Sequence, residues 1–247
     1  MDAEPQSSEP SAAEKPSRWK HAVKVLVGIL AVYFVVTYVI VPQVWKGYAQ
    51  HHPSFDDSPR ITKTRDDHPG DPLNVALVGT EEQVKQAMLG AGWFAADALG
   101  LKSDVRIGVD TVLKKSYAAA PVSSLFLFGR KEDLAFEQSV GDDPRHRHHV
   151  RFWKTEKVDD GRPVWIGSAA YDERVGLSHT TGQITHHISG DIDAERDYVI
   201  HSLEKAHELA EMYKVPGFHK DLEGRNGGGD AWHTDGTLWV GVIAVQK

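Results

Sequence analysis

The chain has 247 residues, with 28 Lys and Arg against 35 Asp and Glu, and no cysteine. The net charge of −7 argues against sequence-independent nucleic-acid binding, which needs a basic stripe. The missing thiols exclude disulfides, thiolate zinc sites and cysteine nucleophiles.

Residues 1–17 are rich in Ser, Pro, Ala and Glu and hold almost nothing large to bury, which predicts disorder. Residues 25–41 (VLVGILAVYFVVTYVIV) then run without a charge, and 42–45 extend the uncharged span to Trp45. At 1.5 Å per residue this span is about 31 Å long, the thickness of a bilayer core. Trp19 and Trp45 flank it, where amphipathic rings favour the headgroup layer. One transmembrane helix is predicted over 25–45, with 1–24 as a disordered cytoplasmic segment. Lys15, Arg18, Lys20 and Lys24 precede the run, whereas Lys46 and Arg60 follow it, so the bias predicts N-in and C-out. A cleaved signal peptide is the competing reading, with 47–49 (GYA) as a loose cleavage site; the long apolar run and long leader favour an uncleaved anchor.

Residues 46–71 have little apolar content and read as a linker. From 72 the pattern becomes globular. Residues 73–78 (LNVALV) read as a buried strand. Thr80 with Glu81, Glu82 and Gln83 reads as the start of a helix that buries Val84, Ala87, Met88 and Ala91. A second helix is predicted over 105–117, stopped by Pro121. Strands follow at 124–128, 134–138, 146–154 and 162–171, with Asp160-Gly161 as a hairpin turn before the last. A long helix is predicted over 193–213, acidic in its first turn, as the helix dipole favours. A Gly-rich loop at 224–236 leads to a closing strand at 237–245. Adjacent strands with separate helices predict an α+β domain over 72–247 with a mainly antiparallel sheet.

Fourteen histidines suggest chemistry, because imidazole is both a metal ligand and a near-neutral base. The richest segment is 145–153 (RHRHHVRFW). On a strand Arg147, His149 and Arg151 share one face, while Val150 and Phe152 take the other. Such a row of cations suits an opposing carboxylate or an anionic ligand. With a two-residue turn at 160–161, Asp159 pairs with Arg162; the same register sets His149 across from Asp172 and Arg147 across from Arg174. The plain alternative is a basic strand solvated on one side. A second cluster, 186–197 (HHISGDIDAERD), offers imidazoles and carboxylates near a helix start. There His187 and Asp191, with His149, would hold a divalent cation, and Asp172 would orient His149. Equally, Asp193, Glu195 and Asp197 serve as cap and dipole residues. Arg196 joins Arg147, His149, Arg151 and Asp172 as the candidate ligand-binding set. The run 227–230 (GGGD) lacks the Lys-Ser/Thr of a phosphate-binding loop and reads first as a connection. No G-x-S-x-G elbow is present, so a serine-hydrolase reading has no support.

Taken together, 71–75 (DPLNV) with Gly79, 91–93 (AGW), 121–123 (PVS), 129–130 (GR), 148–153 (HHVRFW), 164–167 (VWIG), 191–197 (DIDAERD), 225–230 (RNGGGD) and 234–236 (TDG) resemble the LssY-like C-terminal domain, a bacterial family. The resemblance covers nearly all of the chain from Asp71 onward. It implies no catalytic activity. Larger relatives joined to phosphatase-like or DedA-type membrane segments imply work at the envelope, but this chain carries no phosphatase motif and inherits no phosphatase activity. The resemblance also implies that the His-Arg strand, the Asp-rich helix start and the GGGD loop share one site.

The leading expectation is therefore a domain held at the inner membrane, on its outer side, that binds an anionic ligand such as a phosphate or lipid headgroup. The expected partners are the lipid bilayer and that ligand or a membrane protein, not nucleic acid. The alternatives are a metal-assisted hydrolase using a divalent cation and a non-catalytic adaptor.

Overall fold

Helix α1 (Arg18–Val35) passes through a π-type turn (Val36–Ile40) into α2 (Val41–His51) in the computed structural model, which describes residues 18–96, 124–141, 146–180, 182 and 184–245. The helix expected over 105–117, the Pro121 stop and the chain 1–17 lie outside these residues. The π-type turn sits just ahead of Pro42, and the Val41 amide donates to the Val36 carbonyl five residues back. A proline has no amide hydrogen and crowds the carbonyl of the preceding turn, so the ladder widens there. Arg18, the first described residue, is already helical seven residues before the apolar run. From Arg18 to Tyr48 it is long and apolar enough to cross a membrane, and it lies near the N-terminus, where a signal sequence has the same character. None of the α1 side chains is buried, as a lipid-facing helix requires.

Residues 52–247 form a separate unit. In chain order it comprises β1 (Ile61–Lys63), β2 (Pro69–Pro72), β3 (Val75–Val78), α3 (Glu81–Gly90), β4 (Phe94–Ala95), β5 (Phe126–Leu127), β6 (Arg130–Lys131) and β7 (Leu134–Ser139). Then come β8 (Arg147–Asp159), β9 (Arg162–Leu177), β10 (Ile184–Ile188), α4 (Ile192–Lys205), β11 (Leu209–Val215), β12 (Glu223–Arg225), β13 (Ala231–His233) and β14 (Leu238–Ile243). The main sheet runs β11-β14-β3-β9-β8-β7-β4, with β10 paired to β9. Its pairs are antiparallel except β3 with β14, so the α+β, mainly antiparallel expectation holds.

Alternation along the strands divides the core in two. On one face Val75, Leu77, Val150, Phe152 and Trp165 pack under α3 and α4, through Val84, Met88, Val199, Ile200 and Leu203. On the other, Ala76, Val78, Trp153, Ile166 and Val240 meet Leu125 and Leu127 with Phe55 and Phe218. This second layer includes the small sheet β2-β1-β5-β6. The span expected as linker is therefore largely domain. Phe55 is fully covered, and β1 and β2 pair with each other. Sparse apolar residues hid this: among the described residues, Phe55 is the one apolar side chain of the span in that core layer.

Two further differences matter. The helix expected over 193–213 ends at Lys205; His207 takes φ 59°, and Leu209–Val215 is instead an edge strand on β14. The 160–161 turn forms as expected, with φ 48° at Asp160 and 74° at Gly161, and Asp159 faces Arg162. Beyond it, however, β8 carries two extra residues between Lys154 and Val158. Thr155 Oγ1 donates to the Val164 carbonyl and accepts from the Lys157 amide, taking over ladder bonds inside this bulge. The register thus shifts by two: Arg147 faces Asp172 and His149 faces Ala170. A two-residue shift preserves the face of every side chain, so the expected grouping survives the wrong pairing.

Candidate functional site

The long hairpin β8–β9 presents Arg147, His149 and Arg151 on the face away from α4, as alternation requires. His148, one residue out of phase, turns to the helix side. There its Nδ1 lies 2.8 Å from Glu195, and its ring stacks on Tyr198 at 3.9 Å. All three residues of the row are buried or nearly so. Asp172 is fully buried and anchors the row. Arg147 donates from Nε to Asp172 Oδ2 at 2.8 Å and from Nη1 to Glu137 Oε2 at 3.0 Å. His149 Nδ1 lies 3.3 Å from Asp172 Oδ1. Arg151 Nη1 lies 3.8 Å from Asp71 Oδ2, at ion-pair range but too long for a hydrogen bond.

These contacts set the protonation states. Burial pushes the Asp172 carboxyl up, but His149 and Arg147 outweigh it and hold the group well below the usual carboxylate range. Glu137 moves the other way: burial raises it more than Arg147 and His149 lower it. His186 is lowered, first by burial and then by its neighbours Arg147, His149 and Arg151, with Asp172 opposing. Arg147 and Arg151 are thus matched by Asp172, Asp71 and Glu137, so the row carries no large excess of positive charge.

Hydrogen-bond supply tells a different story. Arg147 Nη2, both ring nitrogens of His149, Arg151 Nη1 and Ser168 Oγ are buried without a hydrogen-bond partner among the described residues. Ser168 faces Arg151 across the ladder, so these atoms belong to one sheet face. Buried polar atoms are ordinarily satisfied, and five such groups together mark a place built to meet acceptors.

The Gly-rich loop joins this face. Asn226 donates from Nδ2 to Asp71 Oδ1 at 3.0 Å, and its Oδ1 accepts from the Asp230 amide at 2.9 Å. Asp230 in turn holds His187 through Oδ1 and Nδ1, 2.6 Å apart, and accepts from the Ile188 amide. Asp71 thus stands between Arg151 of the His-Arg strand and Asn226 of the Gly-rich loop. The Asp-rich helix start belongs to another network. Asp191 caps α4 by accepting from the Ala194 amide. Arg196 Nε donates to Asp197, Nη1 to Asp193, Asp235 and the Thr237 carbonyl, and Nη2 to Asp235.

Two expectations need correction on these grounds. Arg196 was grouped with the ligand-binding cations, but three carboxylates and a carbonyl occupy its guanidinium. His149, His187 and Asp191, expected together as metal ligands, have different partners: His149 lies beside Asp172, His187 beside Asp230, and Asp191 accepts from the Ala194 amide. Among the described residues, the group of His and carboxylate side chains that does gather, with ligand atoms within 4.8 Å of one another, is His179, His187 and Asp230. His179 escaped sequence reading because it stands alone in a turn. Ser168 and Asp71 escaped because only the pairing of strands brings them to the row.

No curated protein and no solved structure matches the chain. The family model described as "LssY C-terminus" matches residues 55–238, starting at the buried Phe55 and ending in the closing strand. The matched span contains the His-Arg row, Asp71, Asp172 and the GGGD loop, and the chain belongs to the LssY C-terminus family.

Proposed function

We propose that this protein is a membrane-anchored envelope domain that binds an acceptor-rich ligand, a phosphoryl group foremost, against Arg147, His149, Arg151 and Ser168. The carrying observation is the set of buried polar groups on that sheet face that have no hydrogen-bond partner among the described residues. Since the neighbouring carboxylates balance the arginines, selection rests on directed donors rather than on net charge. Inorganic phosphate and glycerol 3-phosphate are the probes, applied to the full chain in mild detergent. Each is expected to raise the thermal midpoint in a saturable way. Arg151→Gln is expected to weaken phosphate binding about tenfold by calorimetry, the loss of one charge-assisted contact. Absence of any saturable response overturns the reading and leaves an adaptor role on a membrane partner.

The anchor reading extends to topology. The excess of Lys and Arg before the apolar helix supports an N-in, uncleaved anchor with the domain outside the inner membrane. The absence of native cysteine makes this simple to measure. Ser54→Cys is expected to react with an impermeant maleimide on intact spheroplasts, and Ser8→Cys only after lysis. The reverse pattern would invert the topology, and a chain lacking its first 50 residues when isolated would replace the anchor with a cleaved signal.

A further inference from the structure

We propose that His179, His187 and Asp230 bind one divalent first-row transition-metal ion, with Zn²⁺ as the fitting probe. One ligand atom from each lies within 4.8 Å of those from the other two. Metal bonds of about 2.0–2.2 Å in tetrahedral geometry place ligand atoms roughly 3.3–3.6 Å apart. Closing the spread falls to the exposed His179 and to the Asp230 carboxylate, which would exchange its 2.6 Å contact with His187 Nδ1 for a bond to the metal held at Nε2. Two imidazoles with one carboxylate suit Zn²⁺ and its neighbours; Mg²⁺ and Ca²⁺ favour oxygen ligands.

A second observation points to a ligand rather than a plain ion pair. His187 is 2% exposed, and its Nε2 is buried without a hydrogen-bond partner among the described residues. Asp230 accounts for only one of its two nitrogens. A histidine kept purely for packing would have both satisfied.

The loop is also shaped to bring His179 to this pair. The His179 amide donates to the Gly228 carbonyl at 2.9 Å, and Thr180 Oγ1 bonds the Gly227 carbonyl. Gly229 has φ 89°, and a Cβ there would lie 2.7 Å from the His179 Cβ. Glycine is required at 229 both for the backbone conformation and for the close approach of His179. The result is a centre with two ligands from the β9–β10 region and one from the GGGD loop. Through Asn226 and Asp71, that loop also touches the Arg151 side of the donor row. The metal reading stands independently of phosphoryl binding.

The test uses the full chain, purified in detergent with a tag free of histidine, stripped with chelator and titrated with Zn²⁺. One equivalent is expected to bind, measured by calorimetry and by elemental analysis after gel filtration, and to raise the thermal midpoint. His179→Ala alters an exposed side chain, so the metal-free protein should melt as the parent does while Zn²⁺ affinity falls at least tenfold. His187→Ala and Asp230→Asn are expected to lose the bound equivalent. The proposal is overturned if the stripped chain binds no stoichiometric metal, if His179→Ala binds as tightly as the parent, or if Mg²⁺ competes on equal terms. Loss of Zn²⁺ binding with phosphate binding intact, or the reverse, separates this centre from the donor row.

Discussion

Asp172→Asn is expected to destabilise the domain by about 3–5 kcal/mol, the range for removing one partner of a buried ion pair. Asp172 is fully buried and receives Arg147 Nε at 2.8 Å, with His149 3.3 Å away. An amide has the same shape, but it turns an acceptor of two cations into a weak acceptor that also donates toward them. Arg147 keeps Glu137 on the neighbouring strand β7, but donates to it from Nη1 alone, which does not replace Asp172. Urea denaturation of the full chain followed by tryptophan fluorescence measures the loss, because Trp93, Trp153, Trp165, Trp232 and Trp239 are all buried in the domain. Adding Arg147→Met should recover part of it, since the stranded charge goes with its partner. A cost below about 1 kcal/mol would mean the row is solvated rather than built.

The same residue fixes a pH signature. Its folded-state affinity for protons is depressed, so its stabilisation is complete above the ordinary carboxylate range near 3.9 and is lost as pH falls below it toward the folded value. In the parent chain, stability should drop steeply below about pH 4, and Asp172→Asn should flatten that segment. At higher pH the two should share the same pH dependence, offset by the stability lost with the substitution. His186 and His219 are lowered, chiefly by burial, so each favours the fold above its ordinary value near 6.5 and withdraws that support on acidification.

The faces of the sheet were legible from sequence, whereas its register was not. Alternation in 147–152 gave the grouping of Arg147, His149 and Arg151 because a strand has a period of two whatever it pairs with. The partner of each residue depended on the bulge between Lys154 and Val158, and no sequence signal marks Thr155 as the hydroxyl that bridges it. The end of α4 was hidden for a different reason. Ala206, Ala210 and Tyr213 continue the three-and-four spacing, and the left-handed residue that stops the helix is His207 rather than a glycine. Tertiary pairing with β14 then draws 209–215 into a strand, outweighing a weak helical preference. The His179 centre depends on contacts about 50 residues apart in sequence, from 179 to 230, and no local pattern encodes them.

Arg196→Met is expected to cost about 3 kcal/mol of stability and to leave both phosphate and Zn²⁺ binding unchanged. Sequence alone set this arginine beside the ligand-binding cations, yet its side chain is 3% exposed and serves Asp193, Asp197, Asp235 and the Thr237 carbonyl. Methionine keeps much of the apolar stem but removes the guanidinium, whose Cζ lies 5.6 Å from the Trp239 ring and whose charge lets three carboxylates converge. Asp193 would retain the Thr234 hydroxyl and the Asp235 amide, which is why the loss should fall below that at the fully buried Asp172. Lysine is not a conservative substitute, because one ammonium cannot span acceptors that a planar guanidinium reaches along two edges. Arg196→Lys should therefore lose most of the same stability. A variant of Arg196 that folds as stably as the parent but no longer responds to phosphate would return this residue to the binding site. Loss of stability with intact binding fixes it as the clamp that ties the start of α4 to the segment entering β14.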